Sequence, residues 1–196
     1  MGKTYLHASK VLNDFYPDIP NVKVKSLLLS DKKSDKDKKS IKERYNIDNV
    51  TTSINDILND KSIDAIYIGT PNDLHYKHYK LAIESNKHVL CDKPLGLNQT
   101  ETEEMLKISN KNERYISNIV FQYRFIPAIS EIKKIILDRL LGKILKFRIS
   151  YLHGSYIDNR PITWRLKSKT GGALNDLGPH VVDLAYFLFG NFRITD

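Results

Sequence analysis

Two short apolar runs on either side of a helix-like segment constrain the fold of this chain most strongly. IDAIYIG at 63–69 and KHVLC at 87–91 have the length and composition of strands buried on both faces. The segment DLHYKHYKLAIES between them follows Asn72, a predicted N-cap, and aligns four residues on one helical face: Leu74, His78, Leu81 and Ala82. A strand, a helix and a strand within about 30 residues predict a βαβ unit with parallel strands.

The same alternation extends over residues 1–121. VKVKSLLLS at 22–30 is a predicted strand, and DKKSIKERYNI and SINDILND are helical in composition. Residues 97–113 predict another helix, and YISNIVFQ predicts another strand. We therefore predict an α/β fold in which a Rossmann-type parallel sheet is covered by helices.

A second, α+β domain is predicted over residues 122–196, where the pattern changes. Pro127 opens a helix through PAISEIKKIILDRL that Gly142 ends, and KILKFRISYLHG alternates like a strand. The segment HVVDLAYFLFG is apolar on nearly every side, which predicts a buried helix ending at Gly190. We expect this domain to hold the substrate.

Charge and composition exclude several classes of protein. The net charge is +8, but the densest run, DKKSDKDKKS, alternates Lys with Asp and lacks aromatic residues for base stacking. We therefore expect a solvated surface and no nucleic-acid partner. No apolar run approaches the ~18 residues of a membrane span, and the N-terminus lacks a signal-peptide core, which predicts a cytoplasmic protein. The single cysteine excludes a disulfide framework, and we predict no metal site.

Polar residues follow three predicted strands at the point where each strand ends. They are Asp31, the turn Thr70-Pro71-Asn72, and Asp92-Lys93-Pro94. Carboxyl ends of parallel strands lie at one edge of a sheet, so these groups are expected at a common ligand crevice. Turns also favour Asp for local reasons, and Lys93 is alternatively the first exposed residue of a turn.

Asp176 and His180 form a second candidate pair. On a continuous helix their spacing of four places both side chains on one face, where the carboxylate orients the imidazole. Pro179 supports an alternative, because proline prefers the first helical turn. A helix that began there would leave Asp176 outside it.

Three segments, in this order, resemble the glucose-fructose oxidoreductase, inositol dehydrogenase and MocA (Gfo/Idh/MocA) family of NAD(P)-dependent oxidoreductases. They are TPNDLHYKHYKLAIESNKHVLCDKP, YRFIPAISEIKKIILDRLLGKILKFRISYLH and TWRLKSKTGGALNDLGPHVVDLAYFLFG. The family's Glu-Lys-Pro corresponds to Asp92-Lys93-Pro94, and its Asp-x-x-x-His corresponds to Asp176 and His180. The resemblance implies hydride transfer between a nicotinamide cofactor and a secondary alcohol of a sugar, a polyol or a related cyclic substrate.

The resemblance also implies residue roles. Lys93 and His180 would be catalytic, Asp176 would support His180, and the Lys93–Pro94 bond would be cis. Residues expected at the cofactor are Gly2, Asp31 at the ribose, Thr70, Pro71, Asn72 and His75 at the nicotinamide, and Asp92, Lys93 and Pro94. Tyr123, Arg124, Trp164 and Arg165 match positions near the substrate. Asp31 favours NAD, although Lys32 and Lys33 suit the 2′-phosphate of NADP.

The ends of the chain depart from the family pattern. The family's first strand, most of its glycine-rich loop and most of its C-terminal sheet are missing. Gly2 matches the last glycine of that loop. We therefore expect a fragment of a longer protein that forms a homo-oligomer when complete. Two alternatives stay open: a family-like NAD-dependent glycosidase, and a non-catalytic fragment or scaffold.

Overall fold

The computed structural model describes residues 2–152, 154 and 171–192, and the chain divides into two compact units. The first unit comprises Met1–Gly69, Lys77–Leu90 and Ile108–Ser117. The second comprises Thr70–Tyr76, Cys91–Lys107 and Asn118–Asp196. Because both units include segments from the first 121 residues, the domain break near residue 122 stays a prediction.

Helices and strands alternate along the N-terminal part of the first unit. In chain order they are α1 (Gly2–Phe15), β1 (Ser26–Leu28), α2 (Asp35–Tyr45), β2 (Asn49–Thr51), α3 (Asn55–Leu58) and β3 (Ala65–Ile68). β1 and β2 pair in parallel. α2 begins at a capping box in which Ser34 and Asp37 each accept the other's backbone N–H. These bonds satisfy donors that a helix start leaves without partners.

A second sheet has the strand order β3–β4–β5. Its other strands are β4 (His88–Cys91) and β5 (Ser117–Ile119). Helix α4 (His75–Glu84) connects β3 to β4, and α5 (Gln99–Lys111) connects β4 to β5. Parallel strands joined by helices confirm the predicted α/β class and its βαβ unit.

The buried face of α4 is rotated by one residue from the predicted face. Its buried residues are His75, Tyr79, Ala82 and Ile83. The prediction missed three of them, His75, Tyr79 and Ile83, and the first two carry polar atoms. The Tyr79 hydroxyl donates to the Ser117 hydroxyl at 2.9 Å, so this side chain is buried without losing a hydrogen bond. Asn72 is the first residue of the short 3₁₀ turn Asn72–Leu74 before α4 and not its N-cap.

The C-terminal part of the second unit, from Asn118 onwards, contains two α-helices among the described residues. The 3₁₀ turn Gln122–Phe125 precedes α6 (Pro127–Leu137), which has Pro127 in its first turn as predicted. Helix α7 (Ala173–Phe189) packs against both elements. It ends at Gly190, where φ is 78°, a backbone conformation that glycine adopts without a steric cost. Among the described residues, none of the helices has the length and apolar character required to cross a bilayer.

Two predictions about this unit were wrong. Residues 143–152, within the predicted strand KILKFRISYLHG, form no strand. A strand requires a neighbouring backbone for its hydrogen bonds, and none of the described residues pairs with this segment. Helix α7 is not buried on all sides, because Leu174 is 81% exposed and Tyr186 is 52% exposed. Its buried residues include His180 and Asp183.

Candidate functional site

The loop after β4 carries the first part of the candidate site, and it lies in the second unit. Asp92 is buried, and the side chain of Lys93 is only 15% exposed. The Lys93–Pro94 peptide bond is cis, as the resemblance implied. A largely buried ammonium is costly unless it is paired, so the partner of Lys93 is the central question.

Asp176 is that partner. The Nζ atom of Lys93 lies 2.8 Å from Oδ1 of Asp176, and it also donates a hydrogen bond to the backbone carbonyl of Asp176. The side chain of Asp176 is 20% exposed, so water only partly screens the pair. The ion pair therefore compensates the burial of Lys93 and orients its side chain with two bonds.

Helix α7 presents Asp176 and His180 together. It begins at Ala173, after Gly172 with φ 91°, and it continues through Pro179. Pro179 is therefore inside the helix, which excludes the alternative that the helix begins there. Asp176 and His180 lie one turn apart on a continuous helix, although the Asp176 carboxylate is on Lys93 and not on the imidazole.

His180 is only 4% exposed and is surrounded by aromatic rings. Its ring centroid lies 4.6 Å from that of Tyr123 and 6.4 Å from that of Phe121. It also lines a cavity of about 210 Å³ together with Ile126 and Leu184. Among the described residues, Nδ1 of His180 is buried without a hydrogen-bond partner. No hydrogen bond from the described residues therefore engages this nitrogen.

Burial is the main reason that the pKa of His180 lies below its ordinary value. The positive charge of Lys93 lowers this pKa further. The carboxylates of Asp176, Asp183 and Asp92 oppose both effects. The imidazole is consequently neutral near pH 7, which is the form that accepts a proton.

The segment Thr70–Tyr76 is attached to the Lys93 loop through His75, which is fully buried. Its Nδ1 lies 2.7 Å from the carbonyl oxygen of Pro94, and its Nε2 lies 3.0 Å from that of Thr70. Asn72 is also buried, whereas Pro71 is exposed.

The predicted substrate residues are placed in different environments. Tyr123 and Tyr151 share a hydrogen bond between their hydroxyls, and this bond, together with burial, raises the pKa of Tyr123 to about 12. Nε of Arg124 donates to both carboxylate oxygens of Asp183, at 3.0 and 2.9 Å. The guanidinium of Arg124 is therefore bound to a residue of α7. Trp164 and Arg165 lie outside the described residues.

Two predicted cofactor residues lie in the first unit. Asp31 is exposed in the turn after β1, where the hydroxyl of Ser30 donates to its carboxylate at 3.2 Å. Gly2 is the first residue of α1, and a Cβ placed there would meet no atom within 4 Å. An exposed carboxylate after a parallel strand fits the hydroxyls of a ribose.

Sequence reasoning missed three residues around His180. Asp183 is one turn beyond His180 on α7 and pairs with Arg124, while Phe121 and Tyr151 contribute rings beside the imidazole. The spacing of three between His180 and Asp183 is a helical spacing, and it was the available indication that both share a buried face. Phe121 and Tyr151 had no such indication, because they are distant from His180 in sequence.

Two family models match the chain. Residues 2–119 match the model described as an oxidoreductase family with an NAD-binding Rossmann fold. Residues 129–193 match the model described as the GFO/IDH/MocA C-terminal domain.

Known proteins resemble this chain in sequence and in structure. Levoglucosan dehydrogenase of Pseudarthrobacter phenanthrenivorans is 36% identical over 78% of this chain and 40% of the relative. Glucose-6-phosphate 3-dehydrogenase of Bacillus subtilis is 31% identical over 70% of this chain and 41% of the relative. A solved structure of levoglucosan dehydrogenase with NADH and levoglucosan has a TM-score of 0.90 at 32% identity, over 98% of this chain and 52% of that one. The chain thus spans about two fifths of the length of these curated relatives.

Proposed function

Because the chain belongs to the Gfo/Idh/MocA family of oxidoreductases, we propose that it is part of an NAD(P)-dependent dehydrogenase. The proposed reaction is reversible oxidation of a secondary alcohol on a sugar, a polyol or a related cyclic substrate. The relatives named for levoglucosan and glucose 6-phosphate favour a sugar ring. The observation that carries the proposal is the Lys93–Asp176 ion pair, one helical turn from the buried imidazole of His180.

The dinucleotide supplies the acceptor for the hydride that leaves the carbinol carbon. Asp31 would hold the ribose hydroxyls, since its carboxylate is exposed in the turn after β1. An acidic residue at that point favours NAD, because it repels the 2′-phosphate of NADP. Lys32 and Lys33 beside it would instead attract that phosphate and favour NADP. We propose NAD as the cofactor.

His180 would take the hydroxyl proton as the substrate is oxidised. Its imidazole is neutral near pH 7 because burial and the charge of Lys93 lower its pKa. Its Nδ1 has no hydrogen-bond partner among the described residues, so no described group competes for it. A base with these properties is ready to accept a proton at neutral pH.

Lys93 would stabilise the oxygen from which the proton leaves. An ammonium that is 15% exposed acts on a developing alkoxide with little screening by water. Asp176 would orient this ammonium through the 2.8 Å contact, so that no reorganisation is needed when charge develops. Asp176 thereby supports the reaction through Lys93. Association into a homo-oligomer and a cytoplasmic location stay predictions.

Replacing Lys93 with Met in the complete protein that carries this chain tests the proposal. We expect kcat for sugar-dependent NADH formation, followed at 340 nm, to fall roughly 10²- to 10³-fold, with the Kd of NAD changed less than about threefold. Lys80→Met, which removes a half-exposed lysine of α4, is the matched control and should leave kcat unchanged. Normal turnover in the Lys93→Met variant, or a wild-type protein that reduces neither NAD nor NADP with any sugar or cyclic polyol, would refute it.

A further inference from the structure

His75 has a local geometry that its expected place at the nicotinamide does not explain. The residue is the first of α4 and is fully buried. Both of its ring nitrogens face backbone carbonyl oxygens, which accept hydrogen bonds and never donate them. The ring is therefore directed at the polypeptide itself.

The two contacts of His75 connect different parts of the chain. A neutral imidazole carries one N–H, so in that form only one of the two contacts is a hydrogen bond. The contact from Nδ1 to the Pro94 carbonyl is 2.7 Å, and the contact from Nε2 to the Thr70 carbonyl is 3.0 Å. Both lengths are ordinary for an N–H···O hydrogen bond, but only the Pro94 contact joins α4 to the loop that carries Lys93, since Thr70 is five positions from His75 in the same segment.

From these contacts we propose that His75 is a positioning residue, whose Nδ1–H holds the Pro94 carbonyl and so fixes the loop that presents Lys93 to Asp176. The Pro94 carbonyl is one residue beyond Lys93, whose Nζ is bonded to Asp176. Displacing the loop by about 1 Å at Pro94 would misplace the ammonium by a comparable distance, which is enough to slow a positioned reaction. This inference rests on the proposed function, because it assigns Lys93 a part in turnover.

Asparagine and glutamine separate the two contacts of His75. The amide nitrogen of Asn replaces Nδ1 and can donate to Pro94, whereas that of Gln replaces Nε2 and can donate to Thr70. Leu fills the space and donates to neither. In the complete protein we expect His75→Leu to lower kcat ~10-fold or more, His75→Gln nearly as much, and His75→Asn only about twofold, each with an unchanged KM for NAD.

A buried hydrogen bond elsewhere on α4 provides the control. Tyr79→Phe removes the bond from its hydroxyl to Ser117, and it should lower the Tm without lowering kcat. If His75 had a merely structural role, the His75→Asn and His75→Gln variants would lower kcat by the same factor. That loss of kcat would follow the loss of Tm. That result, or a raised KM for NAD with kcat intact, would overturn the proposal.

Imidazole ¹⁵N NMR provides a readout that does not depend on turnover. We expect a protonated Nδ1 resonance that disappears in His75→Leu, whereas a bare Nδ1 at His75 would overturn the proposal. The two proposals fail in different ways. A wild-type protein that reduces neither NAD nor NADP refutes the dehydrogenase, while full activity in His75→Leu beside an inactive Lys93→Met refutes only the role of His75.

Discussion

The ammonium of Lys93 and the carboxylate of Asp176 are 2.8 Å apart, although 83 positions separate the two residues in the chain. The pair links the loop after β4 to the first turn of α7. Because Asp176 precedes His180 by one helical turn, the pair also contributes to the electrostatic field at the imidazole, beside the larger effect of burial. Lys93 lowers the pKa of His180, and Asp176 raises it.

Replacing Asp176 with Asn should lower the pKa of His180. The variant removes the negative charge that favours the protonated imidazole and leaves the charge of Lys93 without its counter-ion. The imidazole resonance of His180, assigned with His180→Gln, should then titrate at a lower pH. The acid limb of kcat/KM should move in the same direction, because the base loses its proton at a lower pH.

A surface carboxylate is the control for this titration. Asp35 pairs with Lys38 on α2, and the side chain of Asp35 is 97% exposed. Asp35→Asn should therefore leave the titration of His180 unchanged. An unchanged or higher pKa of His180 in the Asp176→Asn variant would contradict the field described above.

Replacing Asp183 with Ala should destabilise the fold by about 3 kcal/mol. The change removes the carboxylate that pairs with Arg124 and leaves the guanidinium without its partner. The value is at the low end of the range for buried pairs because Asp183 is 4% exposed but Arg124 is 34% exposed. Urea unfolding of the complete protein measures the loss.

The exposed pair of Lys23 and Asp48 provides the matched comparison. Its side chains are 71% and 48% exposed, so Asp48→Ala should lower the free energy of unfolding much less than Asp183→Ala does. Equal losses in the two variants would show that burial does not strengthen the pair of Arg124 and Asp183.

Replacing Tyr151 with Phe should lower the pKa of Tyr123 from about 12 towards its ordinary value. The hydrogen bond between the two hydroxyls is the largest cause of the raised pKa, and burial is the next. Tyrosine ¹³Cζ NMR, with Tyr123→Phe for assignment, measures the titration. A pKa that stays near 12 would show that the hydrogen bond is not the main cause and that burial and the charge of Asp176 raise it.

Cys91 should be unreactive towards thiol reagents in the folded protein. Burial, reinforced by the negative charge of Asp92, raises the pKa of its thiol to about 12, and the thiolate is the reactive form. Since the chain has a single cysteine, Ellman's reagent should report it only after unfolding in urea. In the complete protein the same assay uses a variant whose other cysteines are replaced by Ser. Rapid labelling under native conditions would show that the end of β4 opens.

Local patterns predicted most of the elements, and they failed at residues 143–152, which lack a pairing strand, and at the buried face of α4. The runs at 63–69 and 87–91 contain β3 and β4, and Pro127 and Gly190 mark a helix start and a helix end, as predicted. The buried face of α4 was wrong because His75 and Tyr79 are buried with their polar atoms bonded. Such bonds have no signature in hydrophobic periodicity.

The sequence alone determined the alternation of strands and helices and the placement of Asp31, Thr70 and Lys93 just after strands. Short-range periodicity and turn chemistry encode these features, because they depend on neighbours within a few residues. Only the tertiary structure decided that Asp176 pairs with Lys93, that α7 continues through Pro179, and that His180 and Asp183 face inward. Lys93 and Asp176 are 83 positions apart, so their contact depends on how the loop after β4 packs against α7. Because a buried ammonium is costly without a counter-ion, the packing must also bring a carboxylate to Lys93.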